Sequence, residues 1–129
     1  MNSKQIIRIE HSDGNGIFRN KRNRVSVCFN SRYPLLVNLA IRHNAYDKGF
    51  PKPYQEGLCM YQNNKQWFCA FKSINQLKYW IRKEELALLI EKKFKIYLLE
   101  VTEYQEGKKQ VIFTKESIIL KQNITEMFK

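Results

Sequence analysis

Paired cysteines, long apolar runs and acidic residues are scarce in this sequence. Its three cysteines, Cys28, Cys59 and Cys69, are odd in number and show no CxxC spacing. That pattern supplies neither a disulfide framework nor a zinc knuckle, so reduced thiols and no structural metal are expected. No apolar run approaches the roughly 18 residues of a membrane span. Met1 to Arg8 has no apolar core of a signal peptide, so a soluble, cytoplasmic protein without membrane partners is expected. Twelve acidic residues face 23 Lys or Arg, giving a net charge of +11, which excludes an acidic mimic of DNA. The P-loop, GxSxG, HExxH and GxGxxG signatures are all missing, as are repeats, low-complexity tracts and linkers.

What is present fits one domain of 129 residues, 43% hydrophobic and 13% aromatic, enough for a core without staples. Gln5 to Glu10 is Ile-rich and reads as a first strand. Ser12-Asp13-Gly14-Asn15-Gly16 is turn chemistry, because Gly and Asn tolerate positive φ. Val25 to Asn30 reads as a short strand. From Pro34, the pattern Leu35, Leu36, Leu39, Ala40, Ile41 predicts an amphipathic helix, which ends near Gly49-Phe50-Pro51. A long connection follows, through Gly57 and Asn63-Asn64, and then a strand over Trp67 to Phe71 with Cys69 in the core. Ser73-Ile74-Asn75-Gln76 predicts a capping box, in which Gln76 returns to the cap N–H. Ile74, Leu77, Trp80 and Ile81 share the face of the helix it opens. Lys83 to Lys92 predicts another helix, with Glu84 and Glu85 matching the macrodipole at its start. Phe94 to Val101 is the clearest strand, Glu106-Gly107 marks a hairpin turn, and Gln110 to Thr114 returns. Ser117 to Leu120 adds a short strand or packing segment. The expected fold is a single α+β domain over 1–129, a mixed or antiparallel sheet flanked by two or three helices.

The positive charge is uneven. Residues 1–32 carry seven Lys or Arg against two acids, while residues 67–129 carry twelve against eight. Arg19, Lys21, Arg22 and Arg24 form the densest run and are the candidate anion or nucleic-acid site, since guanidinium pairs phosphate and stacks on bases. Tyr46, Phe50, Tyr54, Tyr61 and Trp67 surround the long connection, either as stacking platforms or as anchors onto the core. His43, near a helix end, reads as a terminus-stabilising residue. His11 stands beside Arg8 and Glu10, which share one strand face while His11 takes the other. Ser73 reads as a cap, and a cap can also face an anion.

Three blocks resemble a type of small phage or prophage protein of unknown activity: Arg8-Ile9-Glu10-His11-Ser12-Asp13-Gly14 with Ile17-Phe18-Arg19, Phe71 to Leu77 with Trp80, and Phe94 to Tyr97 leading to Gln110-Val111-Ile112-Phe113. Their order is also similar to that of ADP-ribosyltransferases. That resemblance implies Arg8 on the phosphate or ribose of NAD, Ser73 positioning the nicotinamide ribose, and Gln110 at the catalytic position. The family has Glu there, and a neutral Gln cannot stabilise an oxocarbenium as a carboxylate would.

Charge and missing catalytic signatures together lead to an expected phage-type accessory protein that binds RNA, DNA or a host nucleoprotein, with counter-defence as one use and no cofactor. The alternatives are an ADP-ribosyltransferase-like enzyme or NAD binder, and a basic protein-interaction module.

Overall fold

The computed structural model describes residues 2–11, 16, 34–36, 38, 39 and 56–129. The expected strand at 25–30, the basic run Arg19, Lys21, Arg22 and Arg24, and Cys28, His43, Tyr46, Phe50 and Tyr54 lie outside the described residues.

Strand β1 (Lys4–Glu10) pairs along its whole length with β3 (Lys95–Val101), antiparallel, from Lys4 opposite Val101 to Glu10 opposite Lys95. On the far side of β3 runs β6 (Ile118–Asn123), also antiparallel, with a register shift between Glu100 and Val101. A second antiparallel sheet has the order β2-β5-β4, built from β2 (Phe68–Ala70), β4 (Tyr104–Glu106) and β5 (Val111–Phe113). A two-way backbone bridge joins the sheets. Ile7 N–H donates to the Phe71 carbonyl at 2.8 Å, and Phe71 N–H to the Ile7 carbonyl at 2.7 Å.

Alternation along β1 sorts its side chains between two cores. Ile7 and Ile9 enter a cluster with Leu77, Trp80, Ile81, Leu86, Leu89, Phe94 and Ile96. Ile6 enters a second cluster, with Ala70, Leu99, Val101, Val111 and Phe113, packed between the sheets. The first cluster is covered by α1 (Ile74–Trp80) and α2 (Lys83–Glu91). Residues 34–36, 38 and 39 are helical, and Leu36 and Leu39 are fully buried in the same cluster, as the pattern from Pro34 predicts. The result is an α+β fold with two antiparallel three-stranded sheets and about three helices.

The helix signals act locally. Ser73 Oγ accepts the Gln76 N–H at 3.1 Å, the predicted cap. Gln76 Oε1 does not take the cap's own N–H, however. It accepts from Lys72, one residue earlier, at 2.6 Å, while its Nε2 donates to the Lys109 carbonyl. Gln76 thus helps tie α1 to the β4–β5 turn. In α2, Glu84 and Glu85 occupy the first turn, and Arg82 N–H donates to Glu85 Oε1 at 2.8 Å. Lys93 takes φ 75°, and Phe94 N–H returns to the Leu89 carbonyl at 3.0 Å, closing the helix with a left-handed residue.

Two expectations change, and one element runs further than expected. The hairpin is β4–β5, not β3–β5: β3 already has a neighbour on each edge, and Thr102 and Glu103 separate it from β4. Cys69 is exposed rather than in the core, because Phe68 and Ala70 take the inward positions of β2 and the residue between them faces out. The short strand expected over Ser117 to Leu120 continues: β6 reaches Asn123, and a 3-10 turn over Thr125–Phe128 follows. There Thr125 Oγ1 accepts the Ile96 N–H at 3.0 Å, and the Ile124 N–H reaches the Ile96 carbonyl at 2.8 Å.

A third apolar cluster, Leu58, Trp67 and Ile112, lies on the outer side of β5. The segment carrying it is held by a side chain that imitates a strand: Gln105 Oε1 accepts the Cys59 N–H at 2.9 Å, and Gln105 Nε2 donates to the Cys59 carbonyl at 2.8 Å. Trp67 Nε1 donates to the Gln62 carbonyl at 3.0 Å, so Trp67 is an anchor, whereas Tyr61 is exposed.

Gly107 opens the β4–β5 turn, and its N–H donates to the Gln110 carbonyl at 2.8 Å. Steric crowding accounts for the glycine. An added Cβ would lie 2.5 Å from Glu56 Oε1 and 3.0 Å from Glu56 Cβ, while Glu56 Oε2 accepts the Lys109 N–H at 2.9 Å. Gly107→Ala is therefore expected to lower stability by about 1 kcal/mol, as overpacking does. Urea unfolding of Gly107→Ala, Glu56→Ala and the double variant checks this: the two losses should combine to less than their sum.

Candidate functional site

The face of β1 that carries Ile6 also carries Arg8 and Glu10, which are 5% and 3% exposed. Two charges in an apolar seam need partners, because burying an unpaired charge is costly. Arg8 Nε donates to Glu10 Oε2 at 2.7 Å, and Arg8 Nη1 donates to the Cys69 carbonyl at 2.6 Å. The guanidinium lies 5.2 Å from the Phe68 ring centroid and 5.5 Å from that of Phe113, within cation–π range. Gly16 stands against it: an added Cβ would sit 3.8 Å from Nη2.

Lys121 completes the ion pair from β6. Its Nζ donates to Glu10 Oε1 at 2.9 Å and lies 4.4 Å from the Tyr97 ring centroid. Lys115 lies 4.3 Å over Phe68. Three cations, one carboxylate and three rings (Phe68, Tyr97 and Phe113) thus gather along this seam. The His11 ring meets Phe94 edge-on at 5.0 Å. Burial pushes the Glu10 carboxyl up, but the Lys121 hydrogen bond and the Arg8 charge outweigh it. The net effect holds Glu10 below the usual carboxylate range, so it is ionised at neutral pH and serves as an acceptor, not a proton donor.

A second carboxylate, Glu103, is held low by Lys65, whose Nζ reaches both oxygens at 2.9 Å, and by the Thr114 hydroxyl at 2.7 Å. This pairing fastens the segment before β2 to the link between β3 and β4.

The three residues of the transferase resemblance occupy different settings. Arg8 lies in the seam, with Nε and Nη1 both engaged by protein acceptors. Ser73 is an exposed cap at the start of α1. Gln110 is buried immediately before β5, whose Val111 and Phe113 turn toward the seam and whose Ile112 turns to the Leu58–Trp67 side. By alternation Gln110 stands at an Ile112-type position. Lys115 and Lys121 escaped the sequence reading. Their partners are remote, Glu10 being 111 residues from Lys121, and a lysine among glutamates looks like any solvated lysine. The available signal was the charged pair Arg8 and Glu10 inside an Ile-rich strand. Among the described residues no group of three His, Cys, Asp or Glu could hold a metal, and no helix is long and apolar enough to cross a membrane.

The family model for the bacteriophage T4 Y00F protein matches residues 1–126. The chain belongs to that family. No curated protein and no solved structure matches it. The Y00F match supports the phage resemblance and does not extend to ADP-ribosyltransferases. It spans every described element of this Y00F-family fold from β1 to the first half of the final 3-10 turn, the seam included.

Stability should follow Glu10. Its pKa is lower in the folded chain than in the unfolded one, so its contribution is present above the ordinary carboxylate range and is lost as pH falls through the depressed value. Urea midpoints from pH 7 to pH 3 should fall for the parent chain, and the gap to Glu10→Gln should narrow. Glu10→Ala at pH 7 should cost about 3 kcal/mol, because it leaves Arg8 buried without its carboxylate.

Proposed function

We propose that this phage-family protein is an accessory protein that binds nucleic acid, free or within a host nucleoprotein. The observation that carries this reading is the stacking of Lys115 on Phe68 and Lys121 on Tyr97 beside Arg8. Cations interleaved with half-buried aromatic rings at the end of a seam offer a strand both phosphate neutralisation and a ring face for a base. The net charge of +11 supports the same choice by drawing a polyanion to the surface. Arg19, Lys21, Arg22 and Arg24, outside the described residues, are a second candidate for phosphate contact on sequence grounds. Counter-defence, by occupying a host nucleoprotein's nucleic acid, is the use this binding would serve in an infected cell. The reading calls for no cofactor.

Fluorescence anisotropy with a labelled single-stranded oligonucleotide tests the reading. Binding should weaken steeply with salt, because each neutralised phosphate releases counterions. Lys115→Gln with Lys121→Gln should lower the slope of log affinity against log salt by about 1.4, at roughly 0.7 per phosphate on a single strand. Absence of binding at low salt overturns the reading. Capture of one acidic protein that survives nuclease treatment, from a chain that fails to bind oligonucleotide, would replace it with the protein-interaction module.

A further inference from the structure

We infer that the β4–β5 turn is a second phosphate-contacting surface, a rigid tip that presents Lys108 and Lys109 to a nucleic-acid backbone, with Lys72 behind them. The inference rests on the nucleic-acid reading and adds a surface that the seam does not include.

The argument starts from the turn's backbone. Four residues, Gly107 to Gln110, join Glu106 to Val111, and the polar backbone atoms of such a turn need partners. Here side chains from two distant segments supply them. Glu56 Oε2 takes the Lys109 N–H at 2.9 Å. Lys72 Nζ donates to the Lys108 carbonyl at 3.2 Å. Gln76 Nε2 donates to the Lys109 carbonyl. Gly107 N–H closes the turn on Gln110. Because the backbone is held from both sides, the exposed Lys108 and Lys109 side chains stand on a fixed base.

The neighbouring charges leave the tip positive. Glu56 is the acid beneath it, with Oε1 buried against the turn and Oε2 on the Lys109 N–H, so its carboxylate faces inward. Glu106 is paired with Lys4 at 3.0 Å. Lys72, which steadies the turn, adds a third ammonium on the same side, and the exposed Ser73 hydroxyl follows it. A preordered tip loses little freedom on binding, which raises the return from each charge. Lysines contact phosphate as point charges without reading bases, so the surface fits a sequence-independent backbone contact.

The test is Lys108→Gln with Lys109→Gln, which removes two charges and leaves the backbone bonds in place, compared with the parent chain and with the Lys115→Gln, Lys121→Gln variant. Unfolding midpoints confirm that each variant is folded. In the oligonucleotide titration the salt slope should fall by about 1.4, so affinity should drop about sevenfold less than in the parent between roughly 50 and 200 mM salt. An unchanged slope, alongside a lowered slope for the seam variant, overturns the tip while the nucleic-acid reading stands. A parent chain that does not bind overturns both.

Discussion

The two hydrogen bonds between Ile7 and Phe71 determine what the rest of the molecule must do. They fasten the edge of β1 to Phe71, next to the end of β2, and with the second sheet held there Ile6 to Glu10 are buried on both faces. One face can be all isoleucine, and it feeds the helices. The other carries Arg8 and Glu10 and is closed by the second sheet, which forces a buried ion pair. The Cys69 carbonyl, the rings of Phe68 and Phe113, and Lys121 from β6 all answer that demand. The charged seam therefore follows from the topology that makes the two cores, and the residues that stabilise it are the same ones that give the surface its cation–aromatic character.

Such a pair is a weak source of net stability, because desolvation offsets much of the attraction. Its value lies in what it specifies. Glu10 accepts two donors on one face of its sheet, Arg8 within β1 and Lys121 two strands away on β6. A slip of β6 by one residue would move Lys121 to the other face and leave Glu10 short of a partner. The seam thus ties β6, exposed along most of its length, to the register of β1.

Much of this fold was legible because its signals are short-range. Ser73 with Gln76, the acidic pair at the start of α2, the Ile pattern of β1 and the Leu pattern after Pro34 each encode an element within a few residues. Sheet partnership was not legible. The turn at Glu106-Gly107 was visible, yet the strand before it was misassigned, since nothing local shows that β3 is already paired on both edges. Cys69 looked apolar in an apolar run, and only its position between two inward residues decided that it faces out. Arg8 was picked out as a candidate residue, but its companions Lys115 and Lys121 come from the other end of the chain, and Gln76's reach to Lys109 depends on the docked turn.

The same long-distance pairing sets a timetable for the molecule's birth. β1 is synthesised before the other described elements, but its partner β3 lies about ninety residues later, and the lysine that neutralises Glu10 later still. Closing so large a loop is slow, and it must precede the contacts that reward it. Until residues 95–101 are made, β1 lacks the strand that pairs along its whole length. During that interval the local helices around Leu77 and Leu86 are the parts able to form. The chain reaches its native arrangement only when β6 emerges and threads its charge against the first strand.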